Sequence, residues 1–522
     1  MKSALVIESS LPHNYTATQN ACKLCTPLGA ALAFQGIEGC VPLLHGSQGC
    51  STYMRRYLIS HFKEPVDIAS SNFTEETAIF GGGANLKLAI ENITRQYSPA
   101  MIGIATTCLS ETIGDDVPML IDSIKNVESL PELVHVSTAS YTGTHIDGFH
   151  QAVKAVVDKF NPESVMSVEQ KRCEDSSYVL EASDGEQIIF GEQTTLNCFP
   201  GMLSNEDIRH LKEIFLAMSI NAVILPDYCE RLDGEPWFEY QIIQKGGTKV
   251  SAIRTMHKSV GSIELGRILA AKQNSKQSGS KENLKESCSK VKSKIGNSSF
   301  VKKGDFVKNG DKQSAGQLLS DRFGVPCMGV GFPIGVKETD LFFDALEKLT
   351  GKAVPDTFIS ERGRLIDSYI DCNKYLSGKR AVVYGEEDLV VGVASFLSEI
   401  GVVPVLCASG GKSGSLKSVI EKIMPSALFK QIRVRDGVDF MEIEHEAREC
   451  CPDFLIGSSK GYATSRRLKI PLVRVGFPVH DRVGGSRILH IGYSGAQRLL
   501  DQIVNTLLER RQERSDIGYS YM

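Results

Sequence analysis

Three cysteines, Cys25, Cys50 and Cys108, each stand among small or polar residues at the end of an apolar run. Their settings are Lys23-Leu-Cys25-Thr-Pro-Leu-Gly-Ala30, Leu44-His-Gly-Ser-Gln-Gly-Cys50 and Ala105-Thr-Thr-Cys108-Leu-Ser-Glu-Thr-Ile-Gly-Asp-Asp116. A thiol used only for packing sits more often inside such a run, as a small hydrophobe. Separations of 25 and 58 residues match no zinc-finger rhythm, which depends on short local pairs. Distant thiols gathered at loop ends fit an iron–sulfur cluster instead, because clusters are held by thiolates and tuned by nearby backbone donors. Gly46 and Gly49 would let backbone N–H groups approach a sulfide closely. Ser47 between them either donates to that sulfide or stabilises the turn.

The elements that must position these thiols alternate strand, loop and helix. A helix is expected over Leu28–Phe34, ending at Gly36, and a brief strand at Val41–Leu44 feeds the loop to Cys50. Tyr53–Phe62 has mixed helical spacing. A glycine turn at Gly81-Gly82-Gly83 precedes a helix over Asn85–Gln96. Ala100–Ala105 reads as a buried parallel strand running into Cys108, with a further helix from Asp116 to Ile124. In such folds ligands sit outside the carboxyl ends of the strands.

Two further blocks repeat the pattern. In the second, strand material is expected at Ser177–Phe190 and Gln193–Gly201, a helix at Asn205–Met218 and a strand at Ala222–Pro226. In the third, Lys379–Gly385, Val402–Cys407, Asp453–Gly457 and Leu472–Gly476 read as strands, Asp388–Ile400 as a helix, and Gly495–Arg511 as a closing amphipathic helix. Residues 271–316, rich in Lys, Ser, Gly, Asn and Gln, cannot bury enough apolar area to offset chain entropy and read as a disordered, basic surface insert. The expected architecture is α/β, with three doubly wound parallel-sheet domains at 1–165, 166–360 and 361–522. Residues 1–20 read as a polar arm.

Other motifs carry less chemistry. Cys22 and Cys25 form a Cys-x-x-Cys pair with no second pair at finger spacing, and Cys22 reads as a spare thiol. Ala408-Ser-Gly-Gly-Lys-Ser-Gly414 fails as a phosphate loop, since the required first glycine falls on Leu406. His480 and His490 are single histidines with structural roles, and the eleven histidines form no zinc triad. Glu75-Glu76 reads as a solvated helix start. No Ser-His-Asp nucleophile set is evident, so no catalytic residue is assigned.

The cysteine segments resemble the beta-type subunits of nitrogenase component 1. So do Asn20-Ala-Cys-Lys-Leu-Cys25, Val383-Tyr-Gly-Glu-Glu-Asp-Leu-Val-Val391, Leu406-Cys-Ala-Ser-Gly-Gly-Lys-Ser-Gly414 and His480-Asp-Arg-Val-Gly-Gly-Ser-Arg-Ile-Leu-His490. The family includes the paralogous scaffold subunit of NifN type, to which the wording of these segments is most similar, and the resemblance spans nearly the whole chain apart from the insert. It implies three doubly wound domains and cluster ligation by Cys25, Cys50 and Cys108. It also places Ser140 in the region where catalytic subunits set an extra cluster-contacting serine. Phe80 aligns with the surface where the iron protein docks; an exposed hot spot and a buried helix residue both remain open readings. The implied cofactor is an iron–sulfur cluster, [4Fe-4S] or P-cluster-like [8Fe-7S], shared with an alpha-type partner. The iron–molybdenum cofactor precursor is expected in that partner. The implied assembly is an α2β2 heterotetramer with the alpha-type scaffold subunit NifE, docking the iron protein transiently. The alternative role is the catalytic beta subunit, which reduces dinitrogen with its partner and carries half of the P-cluster.

Composition agrees with a soluble chain. With 522 residues, 42% hydrophobic and 23% charged, it is long enough for two to four domains. A net charge of −4 gives no reason to expect nucleic acid or an anionic membrane as partner. No secretion signal or apolar span is evident, so the fourteen cysteines are expected as reduced thiols in the cytoplasm.

Overall fold

A computed structural model describes residues 21–124, 130–164, 195–268 and 313–517. The expected arm, the strand at Ser177–Phe190 and nearly all of the insert lie outside these residues. Three all-parallel sheets carry the architecture. The first holds strands β1 (Cys40–His45), β2 (Ala69–Ser70), β3 (Met101–Thr106) and β4 (Glu132–Val136), in the order β2-β1-β3-β4. The second holds β5 (Thr195–Phe199), β6 (Asn221–Ile224), β7 (Gly261–Leu265) and β8 (Cys327–Val330), in the order β6-β5-β7-β8. The third holds β9 (Arg380–Gly385), β10 (Val403–Ser409), β11 (Arg433–Arg435), β12 (Phe454–Gly457) and β13 (Leu472–Arg474), in the order β11-β10-β9-β12-β13. The α/β class with three parallel sheets is therefore as expected. Residue 361, the expected start of the third block, lies inside the helix Asp356–Leu376, which packs on the closing helix Gly492–Glu513.

In each sheet the order reverses beside the first strand. Adjacent loops then leave in opposite directions and open a crevice at the strands' carboxyl ends. In the first sheet this switch point lies between β1 and β3, which run in full register from Cys40↔Met101 to His45↔Thr106. Every residue of both strands is buried, as strands covered on two faces must be. In the third sheet the switch point lies between β9 and β12.

Helix α1 (Thr26–Gln35) explains why small residues fill its sequence. Pro27 pre-sets its first turn, Gly36 caps its end, and every residue is buried. It lies against helix α7 (His145–Phe160) so closely that a Cβ on Gly29 would fall 1.6 Å from the His145 carbonyl oxygen. A Cβ on Gly148 would fall 2.0 Å from the Thr26 carbonyl oxygen. These reciprocal glycines set the depth of α1 and hence of Cys25 at its N-terminus. Gly148→Ala should destabilise the fold by about 2–3 kcal/mol, because backbone on both sides must shift. Gly363→Ala, on a helix where a Cβ meets nothing within 4 Å, should instead stabilise by about 0.5–1 kcal/mol. Denaturant unfolding of the two variants checks the contrast.

The sheets are also joined through a histidine. His61, near the end of helix α2 (Gln48–Phe62), is buried, and its Nδ1 accepts the Val479 N–H at 3.0 Å. Burial holds its pKa down at about 3. A histidine in the unfolded chain titrates near 6.5, so between these values the unfolded state binds the extra proton. Stability therefore falls as pH drops below about 6.5, by about 1.4 kcal/mol per unit from this group. Denaturant titrations between pH 7.5 and 5 should show that loss, and His61→Gln should reduce the slope by about one proton.

Candidate functional site

The crevice at the first switch point is bordered by two cysteine loops. The β1 loop continues through His45, Gly46 and Ser47 into α2, and the β3 loop continues through Thr107 into helix α5 (Cys108–Ile113). Gly46 has no alternative here, since a Cβ would stand 2.0 Å from Thr107 Oγ1. The close approach brings the two loops side by side. Cys50 thus lies in the first turn of α2 and Cys108 is the first residue of α5. Cys25 is the N-cap residue of α1. Each thiol opens a helix, where the sequence pattern suggested only a turn.

Cys25 is exposed, Cys50 and Cys108 are half-buried, and all three are free. The Ser47 hydroxyl donates to Cys50 Sγ at 3.5 Å, and the Ser140 backbone N–H donates to Cys108 Sγ at 3.2 Å. Ser140 therefore meets the cysteine through its amide rather than its hydroxyl. Its loop is fixed to β3, with Thr138 N–H on Thr106 Oγ1 at 2.9 Å and Thr138 Oγ1 on the Thr106 carbonyl at 2.6 Å. Thr26, directly after Cys25, donates its hydroxyl to the Ala139 carbonyl at 3.4 Å, so the same loop ties Cys25 to Cys108. Tyr57, two turns beyond Cys50 on the same face of α2, is within electrostatic reach of the Cys25 sulfur. Gly49 is open: a Cβ there would meet only Ser47 Oγ, at 3.9 Å. Phe80 closes helix α3 (Glu75–Phe80) before Gly81 and is 82% exposed, with Ile79 beside it at 75%, so the buried reading of Phe80 does not hold.

Among the described residues, no group of three or more His, Cys, Asp or Glu side chains is placed to hold a single metal ion. Cys50 and Cys108 stand on the two loops of the first switch point, and Cys25 is linked to the Cys108 loop through Thr26 and Ala139. The donor set is soft, accessible and supplied with N–H and O–H donors, which suits a sulfide-rich metal group. Cys22 differs: burial pushes its thiol up to about 12, in keeping with a spare thiol.

A polar network that sequence reasoning missed supports the crevice from below. His45 Nδ1 lies 3.0 Å from Ser71 Oγ, and its Nε2 lies 3.1 Å from Asp115 Oδ2. Ser71 Oγ also accepts the Gly46 N–H at 2.9 Å, while Asp115 accepts the Gly82 N–H at 3.1 Å. His45 is fully buried, and burial lowers its pKa although Asp115 opposes the shift. The network joins the Cys50 loop, the residues after α5 and the glycine turn beside Phe80. The only sequence signal was a histidine ending an apolar strand.

The chain is similar to known proteins along its length. The model of the family described as nitrogenase component 1 type oxidoreductase matches residues 25–276 and 307–508. The unmatched residues between these stretches fall inside the expected insert. The nitrogenase molybdenum-iron protein beta chain of Clostridium pasteurianum is 32% identical over 494 residues, covering 94% of this chain and 93% of that one. The beta chain of the same name from Methanococcus maripaludis is 31% identical over 520 residues, covering 96% of each. A solved structure described as nitrogenase Cp1 at pH 6.5 superposes with a TM-score of 0.81 at 30% identity, over 98% of both chains. The chain belongs to the nitrogenase component 1 family, as a beta-type member.

Proposed function

We propose that this chain is the beta-type subunit of the scaffold complex on which the iron–molybdenum cofactor precursor is matured before transfer to the catalytic protein. In this reading Cys25, Cys50 and Cys108 give thiolates to an iron–sulfur cluster shared with the alpha-type partner NifE in an α2β2 heterotetramer. The precursor resides in that partner. The observation that carries the ligand assignment is that three thiols each open a helix, Cys50 and Cys108 at the first switch point and Cys25 tied to the Cys108 loop through Thr26 and Ala139. Cys25 and Cys50 stand at the N-termini of α1 and α2, where the helix dipoles suit a bound anionic group. The Ser140 amide adds a donor at Cys108, and the Ser47 hydroxyl adds one at Cys50. When bound, such a cluster supplies a one-electron relay whose potential follows thiolate count, net charge and hydrogen bonds to sulfur.

The protein's own part is to bind, orient and shield. Tyr53 (51% exposed), Leu109 (37%) and Tyr141 (66%) stand beside the cysteines and offer the apolar surface a partner subunit would cover. Phe80 and Ile79 form a separate exposed pair suited to transient docking of the iron protein. A cytoplasmic location belongs to the same reading, and among the described residues no helix is long and apolar enough to cross a membrane.

The scaffold role rests on the wording of the segments around Cys25, Val383, Leu406 and His480. A second reading, the catalytic beta subunit, is favoured by the presence of all three cysteines and by relatives named as molybdenum-iron protein beta chains. Cys50→Ala should remove most of the iron and acid-labile sulfide from the anaerobically purified complex; unchanged iron content and spectra would refute the ligation. The complex assayed with iron protein and ATP should reduce acetylene slowly or not at all, yet should pass precursor to cofactor-free enzyme. Turnover at the rate of a true nitrogenase would instead establish the second reading.

A further inference from the structure

The third sheet delivers a cation to the N-terminal side of Cys25. Lys460 lies in the loop after β12, at the switch point with β9, and that loop is held rigidly. Tyr384 donates its hydroxyl to the Ser458 carbonyl at 2.5 Å, and a Cβ on Gly461 would stand 2.1 Å from the same hydroxyl. Ser459 Oγ donates to Asp481 and accepts the His480 N–H at 3.1 Å. Asp481 is in turn held by Arg474, which donates from Nε and Nη2 at 2.9 and 2.6 Å.

From this anchored loop Lys460 Nζ donates to the carbonyls of Ala21 at 2.9 Å and Lys23 at 3.3 Å, and stands 6.0 Å from the centre of the Tyr57 ring. Lys460 is half-buried, and burial lowers its pKa while the Cys22 and Cys25 sulfurs oppose that shift; no carboxylate is paired with it among the described residues. Taking a cation out of water without an anion is costly. A neutral donor would make the carbonyl contacts more cheaply. Through its contact with the Lys23 carbonyl, two residues before Cys25, the ammonium is placed to act on negative charge bound at that cysteine.

We propose that Lys460 is a positioning residue whose fixed positive charge beside Cys25 makes the metal group held there easier to reduce, and whose two carbonyl contacts set the path of Ala21–Leu24 into that cysteine. The inference rests on the ligation reading given under Proposed function. Reduction adds one electron, supplied in the test by dithionite. It breaks no bond and adds one negative charge, so a nearby cation favours the reduced state.

The test uses the complex with its alpha-type partner, purified anaerobically as wild type, Lys460→Met, Lys460→Gln and Lys460→Arg, with iron measured in each. Midpoint potentials come from dithionite titration followed by electron paramagnetic resonance. The Met and Gln variants should shift to a more negative midpoint, and Arg should stay with the wild type. Loss of iron in Met and Gln with retention in Arg supports the same need for charge. Iron retained at the wild-type midpoint in either neutral variant overturns the proposal, as does an equal shift in Arg, which marks a merely structural clip. A wild-type complex without iron refutes the ligation reading instead.

Discussion

The placement of Cys25 depends on a four-residue segment held from both sides. Ala21 forms an antiparallel bridge with Asp439, and the backbone of Cys22 runs where only a glycine at 410 leaves room, since a Cβ there would fall 2.5 Å from the Cys22 carbonyl carbon. Both contacts belong to the third sheet's block. Two residues on, Leu24 accepts the His145 N–H at 3.0 Å through its carbonyl and gives its own N–H to His145 Nδ1 at 3.4 Å, which belongs to the first block. The segment therefore spans the joint between two sheets. Cys25 stands where it does only when both are folded and docked. Of the three thiols, only Cys50 and Cys108 are set by neighbouring strands of one sheet.

That constraint gives the remaining elements their purpose. The glycines of α1 and α7 exist because the helix carrying Cys25 must approach its neighbour backbone to backbone. Gly46 exists because two cysteine loops share one crevice. The His45–Asp115 pair then fixes the underside of that crevice, and through Gly82 it reaches the exposed turn beside Phe80. Each of these contacts trades side-chain bulk or burial of a polar group for position. Such trades are expected where a site must be preorganised.

Much of this was legible in the residues and some was not. The strands β3, β9 and β10 announce themselves as short apolar runs ending in threonine, glycine or serine, β1 as one that ends in His45 just before Gly46, and α1 is marked by its small residues between Pro27 and Gly36. Strand β7 is hidden, because its inward side chains include Ser262 and Glu264, both buried. Glu264 accepts from Ser314 Oγ at 2.7 Å and the Gly316 N–H at 2.8 Å, a satisfaction no local pattern reveals. The long helix Asp356–Leu376 buries only Phe358, Leu365 and Leu376, so its periodicity is faint and a block boundary drawn at 361 cuts through it. At the site, the three cysteines and Ser47 could be found from type and position alone. The amide role of Ser140, the His45 network and the reach of Lys460 across 437 residues to the Lys23 carbonyl arise from tertiary placement and leave no trace in local sequence.

The most direct measurement of the central claim is differential alkylation, read by mass spectrometry, on complex isolated without oxygen. Cys451 is exposed and serves as the internal reference for an unprotected thiol. Cys25, Cys50 and Cys108 should resist the reagent while iron is present and react together once a chelator strips it, with Cys451 labelled from the outset. Equal labelling of all four before chelation, in a preparation lacking iron, would contradict the account.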